Sequence, residues 1–164
     1  MIALSLDSTK SFMKEFLVGT LFDPFLMAEG LLITGITYNF DGHLNKDFYS
    51  EEEREGLPYE YETWEDFKKT VYELVKGNHT PLFMKFMLVL KPEKAEEMLK
   101  KAAPEDDFSA LGGLLLSVKY EAGGVTLTTG TSYKTFVLSH EADKLWDSGI
   151  QKYLAAKGVG FEIM

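Results

Sequence analysis

The residues best suited to proton chemistry lie at a predicted turn, where His43 follows Asp41 by two positions and precedes Asp47 by four. A histidine titrates near neutral pH, and a neighbouring carboxylate can orient its imidazole. His43 with Asp41 or Asp47 is therefore the candidate catalytic group of a small hydrolase or isomerase. Such neighbourhoods are common, however, and capping or packing a turn is the more frequent role of a histidine in this position.

The rest of the chain offers little other chemistry. His79 and His140 fall in a predicted connection and at the start of the last helix, and neither has the sequence spacing of a metal-ligand pair. The absence of cysteine excludes thiolate nucleophiles and thiolate metal sites. The segment from Thr128 to Lys134 lacks the signatures of a phosphate loop or a nucleophile elbow. The sequence thus predicts no metal ion and no cofactor, and it favours a non-catalytic role.

A second candidate site is an acidic excursion over about residues 45–62. Residues 47–66 carry nine acidic side chains and one cation, Arg54, while the whole chain has a net charge of -9, so the remainder is nearly neutral. Such charge runs are usually solvated, but the tyrosines between these acids favour a partly packed surface that binds a basic partner protein. The candidate binding residues are Glu51, Glu52, Glu53, Glu55, Tyr59 and Tyr61.

Other partners and compartments fit the composition less well. Arg54 is the only arginine, and two-pronged recognition of guanine or phosphate depends on guanidinium, so sequence-specific binding to nucleic acid is not expected. No apolar run reaches the roughly 18 residues that a membrane-spanning helix needs. With no secretory signal pattern either, we expect a cytoplasmic protein with no membrane partner.

Hydrophobic periodicity predicts one α+β domain over residues 1–164, in which three or four amphipathic helices cover a mainly antiparallel sheet. Pro81 leads into a strand whose two faces are both apolar apart from Lys85, which predicts a central strand covered on both sides. Helices are predicted over about 9–18, 64–76, 92–102 and 140–157; strands are predicted over 2–6, 26–40 (one bent strand or two), 82–90, 114–120, 125–129, 133–138 and 161–163.

Two segments carry a resemblance to a known family. Residues 41–46 read Asp-Gly-His-Leu-Asn-Lys after an apolar strand, and residues 128–132 read Thr-Thr-Gly-Thr-Ser shortly before Lys134-Thr135-Phe136. In both, the chain resembles a family of small bacterial proteins of unknown function, and the resemblance covers most of the chain. The resemblance implies no activity, and the expected function is that of a bacterial protein-binding domain.

The order of predicted elements, ending in the hairpin of residues 125–138, is also similar to one domain of a DNA sliding clamp. That resemblance implies a clamp-like fold and a nucleic-acid-associated role, with the helices near residues 9–18 and 64–76 facing DNA. The sequence departs from it by adding the two later helices. The charges of the helix at 64–76, which include Lys68, also sum to zero, which offers little counterion release.

Overall fold

A computed structural model describes all 164 residues as an α+β fold, which confirms the predicted class. Five α-helices accompany eight strands. The helices are α1 (Thr9–Leu17), α2 (Glu51–Glu55), α3 (Trp64–Val75), α4 (Pro92–Ala102) and α5 (Glu141–Ala156). The strands are β1 (Ala3–Leu6), β2 (Phe25–Ile33), β3 (Thr37–Asp41), β4 (Glu62–Thr63), β5 (Phe83–Leu90), β6 (Leu111–Glu121), β7 (Gly124–Tyr133) and β8 (Phe161–Ile163).

The strands form one sheet in the order β3-β2-β5-β6-β7-β1-β8, and every strand pair is antiparallel. The two-residue strand β4 adds to β2 beside this path. β2 therefore pairs with β3, β4 and β5, and its register shifts between Met27 and Glu29. This irregularity lies where the chain leaves β3 for the acidic excursion, so it matters for the site described below.

Local sequence signals set the helix boundaries. Ser8 and Thr63 each accept a hydrogen bond from the backbone N–H of the third residue of the helix that follows, α1 and α3 respectively, as N-cap side chains do. Pro92 occupies the first turn of α4, where its missing N–H costs nothing. In α4, Glu96 and Lys100 form the ion pair that their four-residue spacing predicts.

The core lies between the helices and one face of the sheet. Trp64 of α3 is fully buried, stacks on Phe16 of α1 at 4.3 Å between ring centroids, and lies 5.1 Å from the ring of Phe86 in β5. Its indole Nε1 donates to the carbonyl of Phe16 at 2.9 Å, which satisfies the one polar atom of the ring. Trp146 of α5 is likewise buried.

The prediction that the strand after Pro81, which is β5, is covered on both faces was wrong. Met84, Phe86 and Leu88 are buried, but the alternate residues Lys85 and Met87 keep access to solvent. The reason is that the buried core lies on one side of β5, although β2 and β6 flank the strand on both edges. A central position within a sheet therefore does not imply cover on both of its faces.

The predicted strand over residues 133–138 was also wrong. β7 instead runs without a break through Gly130 to Tyr133, and Lys134 makes the last backbone bond, to the carbonyl of Ala110 at 2.8 Å. No strand lies beside the chain after that point. Phe136 is exposed as a result, in an irregular connection to α5.

The resemblance to a clamp placed the helix that carries Lys68 against DNA, but Lys68 of α3 is directed into the protein. Its ammonium is buried, lies 2.6 Å from the Asp23 carboxylate and donates to the carbonyl of Gly19 at 2.7 Å. This ion pair ties α3 to the connection between α1 and β2. Lys68 is therefore not available to neutralise a phosphate group.

Candidate functional site

The acidic excursion is a lobe whose two ends are joined to each other and to the sheet. We call residues 44–61, between β3 and β4, the acidic lobe. At its base the Leu44 N–H donates to the carbonyl of Glu60 at 2.9 Å, and His43 pairs with Tyr61 in an isolated antiparallel bridge. The Glu62 N–H donates to the carbonyl of Gly42 at 2.8 Å. The lobe therefore begins and ends as a continuation of the sheet.

Gly42 sits where this base meets β2. Its N–H donates to the carbonyl of Ala28 at 2.9 Å, at the irregularity in β2, and the residue is buried. A Cβ atom at this position would overlap the carbonyl oxygen of Met27. Glycine is required here because only a residue without a side chain lets the two backbones approach so closely.

Short-range hydrogen bonds order the middle of the lobe, between its two ends. Ser50 and Glu53 form a complete capping box, in which each side chain bonds the backbone N–H of the other at 3.1 Å. The bonds from Ser50 hold the pKa of Glu53 below its usual value. Arg54 directs its Nε to the carbonyls of Lys46 and Tyr49, at 2.8 and 3.2 Å. Arg54 thus links α2 to the residues that precede it in the lobe.

A long-range contact fastens the lobe to α4. The Tyr59 hydroxyl donates a short hydrogen bond to the carboxylate of Glu93, and the ammonium of Lys91 lies 5.7 Å from the centre of the Tyr59 ring. The hydrogen bond to Glu93 is the main cause that raises the pKa of Tyr59 to about 12. The same bond holds the pKa of the Glu93 carboxyl below its usual value.

The outer surface of the lobe combines free carboxylates with an exposed aromatic ring. Glu51, Glu52 and Glu55 are exposed, and none has a cationic group within 4.0 Å. Phe48 is 83% exposed and meets the ring of Tyr49 edge-on at 5.3 Å. The lobe therefore carries an exposed aromatic ring and unpaired carboxylates a few residues apart, on a segment whose two ends are hydrogen-bonded to each other.

The predicted binding residues divide into two groups in the structure. The four glutamates lie on the lobe, with Glu53 occupied in the capping box. Tyr59 and Tyr61 are half-buried, and they fasten the lobe through Glu93 and through the ring of His43. Sequence reasoning missed Phe48 as a binding candidate. A large aromatic beside a charge run was the available signal.

His43 lies on the rim of a hollow of about 390 Å³ that Asp41, Tyr49 and Glu62 also line. The carboxylate of Asp41 accepts the backbone N–H of His43 at 2.9 Å and so does not orient its imidazole. The nearest acid to the ring is Glu60, with 3.6 Å between Nε2 and Oε2. The structure brings His43 and Asp41 together as a capped turn, while Asp47 makes no hydrogen bond or ion pair with the histidine ring.

A second polar cluster joins α5 to β7. The carboxylate of Asp143 accepts a short hydrogen bond from Thr131 and lies 3.0 Å from Nδ1 of His140, while Asp147 accepts from Thr129. Burial raises the pKa of Asp143, but the bonds from Thr131 and His140 outweigh it and hold the value below normal. These acids have partners within the chain. Asp143 and Asp147 hold α5 against β7. Their four-residue spacing places both on one face of the helix, and this spacing could have identified them from the sequence.

No group of three or more His, Asp or Glu side chains is placed to hold a metal ion. None of the five helices combines the length and the apolar character that spanning a bilayer requires.

Residues 15–162 match DUF5721, a family of unknown function. The chain belongs to this family. That membership confirms the resemblance to proteins of unknown function that the residues at 41–46 and 128–136 carried. The comparison with curated proteins found no significant match. No solved structure matches significantly either, so the clamp-like topology is not confirmed.

Replacing Gly42 with alanine is expected to lower the free energy of unfolding by roughly 2 kcal/mol, because the new methyl group overlaps a backbone carbonyl that cannot rotate away. Urea denaturation measures the change. Gly35 in the connection between β2 and β3 is the matched control, since a Cβ there meets nothing within 4 Å. Equal stabilities for Gly42→Ala and Gly35→Ala would contradict the close approach.

Tyrosine absorbance should show a transition near pH 12 to which Tyr59 contributes. Because the pKa of Tyr59 in the folded protein is raised above the ordinary tyrosine value of 10.0, the bond to Glu93 stabilises the fold fully below about pH 10 and is lost as pH rises through about 12. Tyr59→Phe identifies the transition, and Glu93→Gln should move it towards 10. A transition that Glu93→Gln leaves in place would exclude the proposed cause.

Proposed function

We propose that this chain is a non-catalytic binding domain that recognises a basic protein through the acidic lobe. The observation that carries the proposal is the exposure of Phe48 on the same anchored segment as the unpaired glutamates. We propose further that the protein is bacterial and cytoplasmic, and that residues 1–164 fold as one domain.

Aromatic and charged side chains contribute differently to a protein interface. A large aromatic side chain that enters a pocket supplies most of the affinity at many interfaces, whereas surrounding charges speed association and select the partner. Phe48 fits the first role, and Glu51, Glu52 and Glu55 fit the second. The capping box and the Tyr59 contact hold the lobe in advance, so less conformational entropy is lost on binding.

The other candidate functions have less support from the geometry. A His43 enzyme needs a carboxylate that orients the imidazole, but Asp41 bonds the backbone and Glu60 is 3.6 Å away on an exposed surface. A nucleic-acid partner would meet the carboxylates of the lobe, and Lys68 is buried in an ion pair. A basic protein is the partner that fits the negative charge of the lobe and its exposed aromatic ring.

The test is selection of binding peptides from a displayed random library, followed by affinity measurements on the enriched peptides. We expect enrichment of sequences that combine lysine or arginine with an apolar residue. Phe48→Ala should weaken binding at least tenfold, as expected for the central residue of an interface. The triple variant of Glu51, Glu52 and Glu55 to glutamine should weaken binding and flatten its dependence on salt.

The matched control replaces Glu29, Glu105 and Glu162 with glutamine, which changes the net charge equally at exposed positions outside the lobe. This control should retain the affinity of the wild type. All three variants should keep nearly the wild-type melting temperature because the altered side chains are exposed. Peptides without basic residues, or equal losses in the two triple variants, would refute the proposal.

A further inference from the structure

A groove of about 720 Å³ runs between α4 and α5, and no residue of the acidic lobe lines it. The two helices meet where Gly149 faces Met98, since a Cβ on Gly149 would lie 2.8 Å from the Met98 sulfur. The volume of the groove falls within the range of sites that hold small organic ligands. Neither the polar clusters nor the proposed protein-binding surface uses this groove.

The floor of the groove is apolar. Phe25, Leu90, Trp146 and Ile150 contribute buried side chains to its lining. Trp146 directs its Nε1 to the carbonyl of Leu115 at 2.7 Å, so its polar atom already has a partner. The floor therefore presents mainly carbon to any occupant.

Tyr153 lines the groove in the same way. Its hydroxyl donates to the carbonyl of Leu21, and burial raises the pKa of its phenol, so the ring stays neutral at physiological pH. Met98 and Leu145 complete the half-buried walls. An aliphatic chain laid along these walls would bury apolar surface without stranding a polar group.

The rim of the groove is positive. Lys94 and Lys101, two turns apart on α4, and Lys152 on α5 are all exposed, and none has a carboxylate within 4.0 Å. Glu97 is the only acid among the lining residues. Three unpaired ammonium groups around an apolar floor are notable in a chain whose net charge is -9.

We propose that this groove binds a linear amphiphile with an anionic head, whose aliphatic chain lies along the floor while the head meets Lys94, Lys101 and Lys152. Lysine supplies point charges that do not require a planar, two-pronged acceptor, so a carboxylate and a phosphate head both suit the rim. The occupant is defined by charge complementarity with the rim and by the apolar character of the floor.

Titration calorimetry with dodecanoate, dodecyl phosphate and dodecyltrimethylammonium, each below its micelle concentration, tests the proposal. We expect saturable 1:1 binding of one or both anions, and the stronger of them identifies the head. The cation should bind at least tenfold more weakly. Shortening the chain from twelve to eight carbons should weaken binding about three- to fourfold for each methylene group withdrawn from the floor.

Variants locate the site. Replacing Lys94, Lys101 and Lys152 with glutamine should weaken anion binding at least tenfold. The same change at Lys10, Lys69 and Lys85, which are exposed elsewhere, should leave it unchanged. A brominated dodecanoate should also quench the fluorescence of Trp146 in the wild type, because bromine quenches at short range.

A second pair of variants guards against indirect effects of the lysine changes. Ala102→Glu adds a carboxylate to an exposed lining position, whereas Ala156→Glu adds one on α5 outside the lining. Only the first should weaken binding. Equal affinity for the cation, or equal effects within either pair of variants, would overturn the proposal.

The acidic lobe of a second copy is a competing occupant. It would show as a concentration-dependent dimer in ultracentrifugation that disappears when Glu51, Glu52 and Glu55 become glutamine. That result, with no binding of either dodecyl anion, would also overturn the proposal.

Discussion

The close approach of Gly42 to β2 is the constraint on which the display of negative charge depends. Because residue 42 has no side chain, its backbone lies against the carbonyl of Met27 and bonds that of Ala28. This position lets Glu62 return to the same glycine and close the base of the acidic lobe. Without that closure, a segment so rich in like charges would lose conformational order to electrostatic repulsion and chain entropy.

Helix α4 connects the two surfaces to which we assign binding roles. Glu93 in its first turn holds the lobe through Tyr59, while Lys94 and Lys101 line the groove shared with α5. The acidic lobe and the positive rim of the groove thus both contact or include residues of α4, whose buried side chains are Ala95 and Leu99. The net charge of the chain outside the acidic segment is near zero and does not indicate this separation of negative and positive surfaces.

Much of the fold could be predicted because its signals are local. Caps at Ser8 and Thr63, the Ser50 and Glu53 box and the apolar stripe of α5 act within a few residues, and the structure contains all of them. The course of residues 133–138 could not be predicted, since β propensity does not say whether a partner strand is present. The one-sided cover of β5 depended equally on the layering of distant elements.

The candidate site could be predicted only in part, because some of its contacts are local in sequence and others are not. Charge counting located the carboxylates of the lobe, but the contact of Tyr59 with Glu93 spans 34 residues and has no local signature. Glu60, the acid nearest the ring of His43, comes from the opposite side of the lobe base. The exposure of Phe48 likewise depends on how the whole lobe folds, because its sequence context is compatible with packing.

Hydrogen exchange at the base of the acidic lobe measures whether the lobe is anchored to the sheet. The amides of Gly42, Leu44 and Glu62 should exchange as slowly as neighbouring sheet amides, while those of Glu51 and Glu52, which open α2 without helical partners, should exchange fast. Exchange of all five at the rate of an unfolded peptide would show that the lobe is not anchored, and would contradict the account.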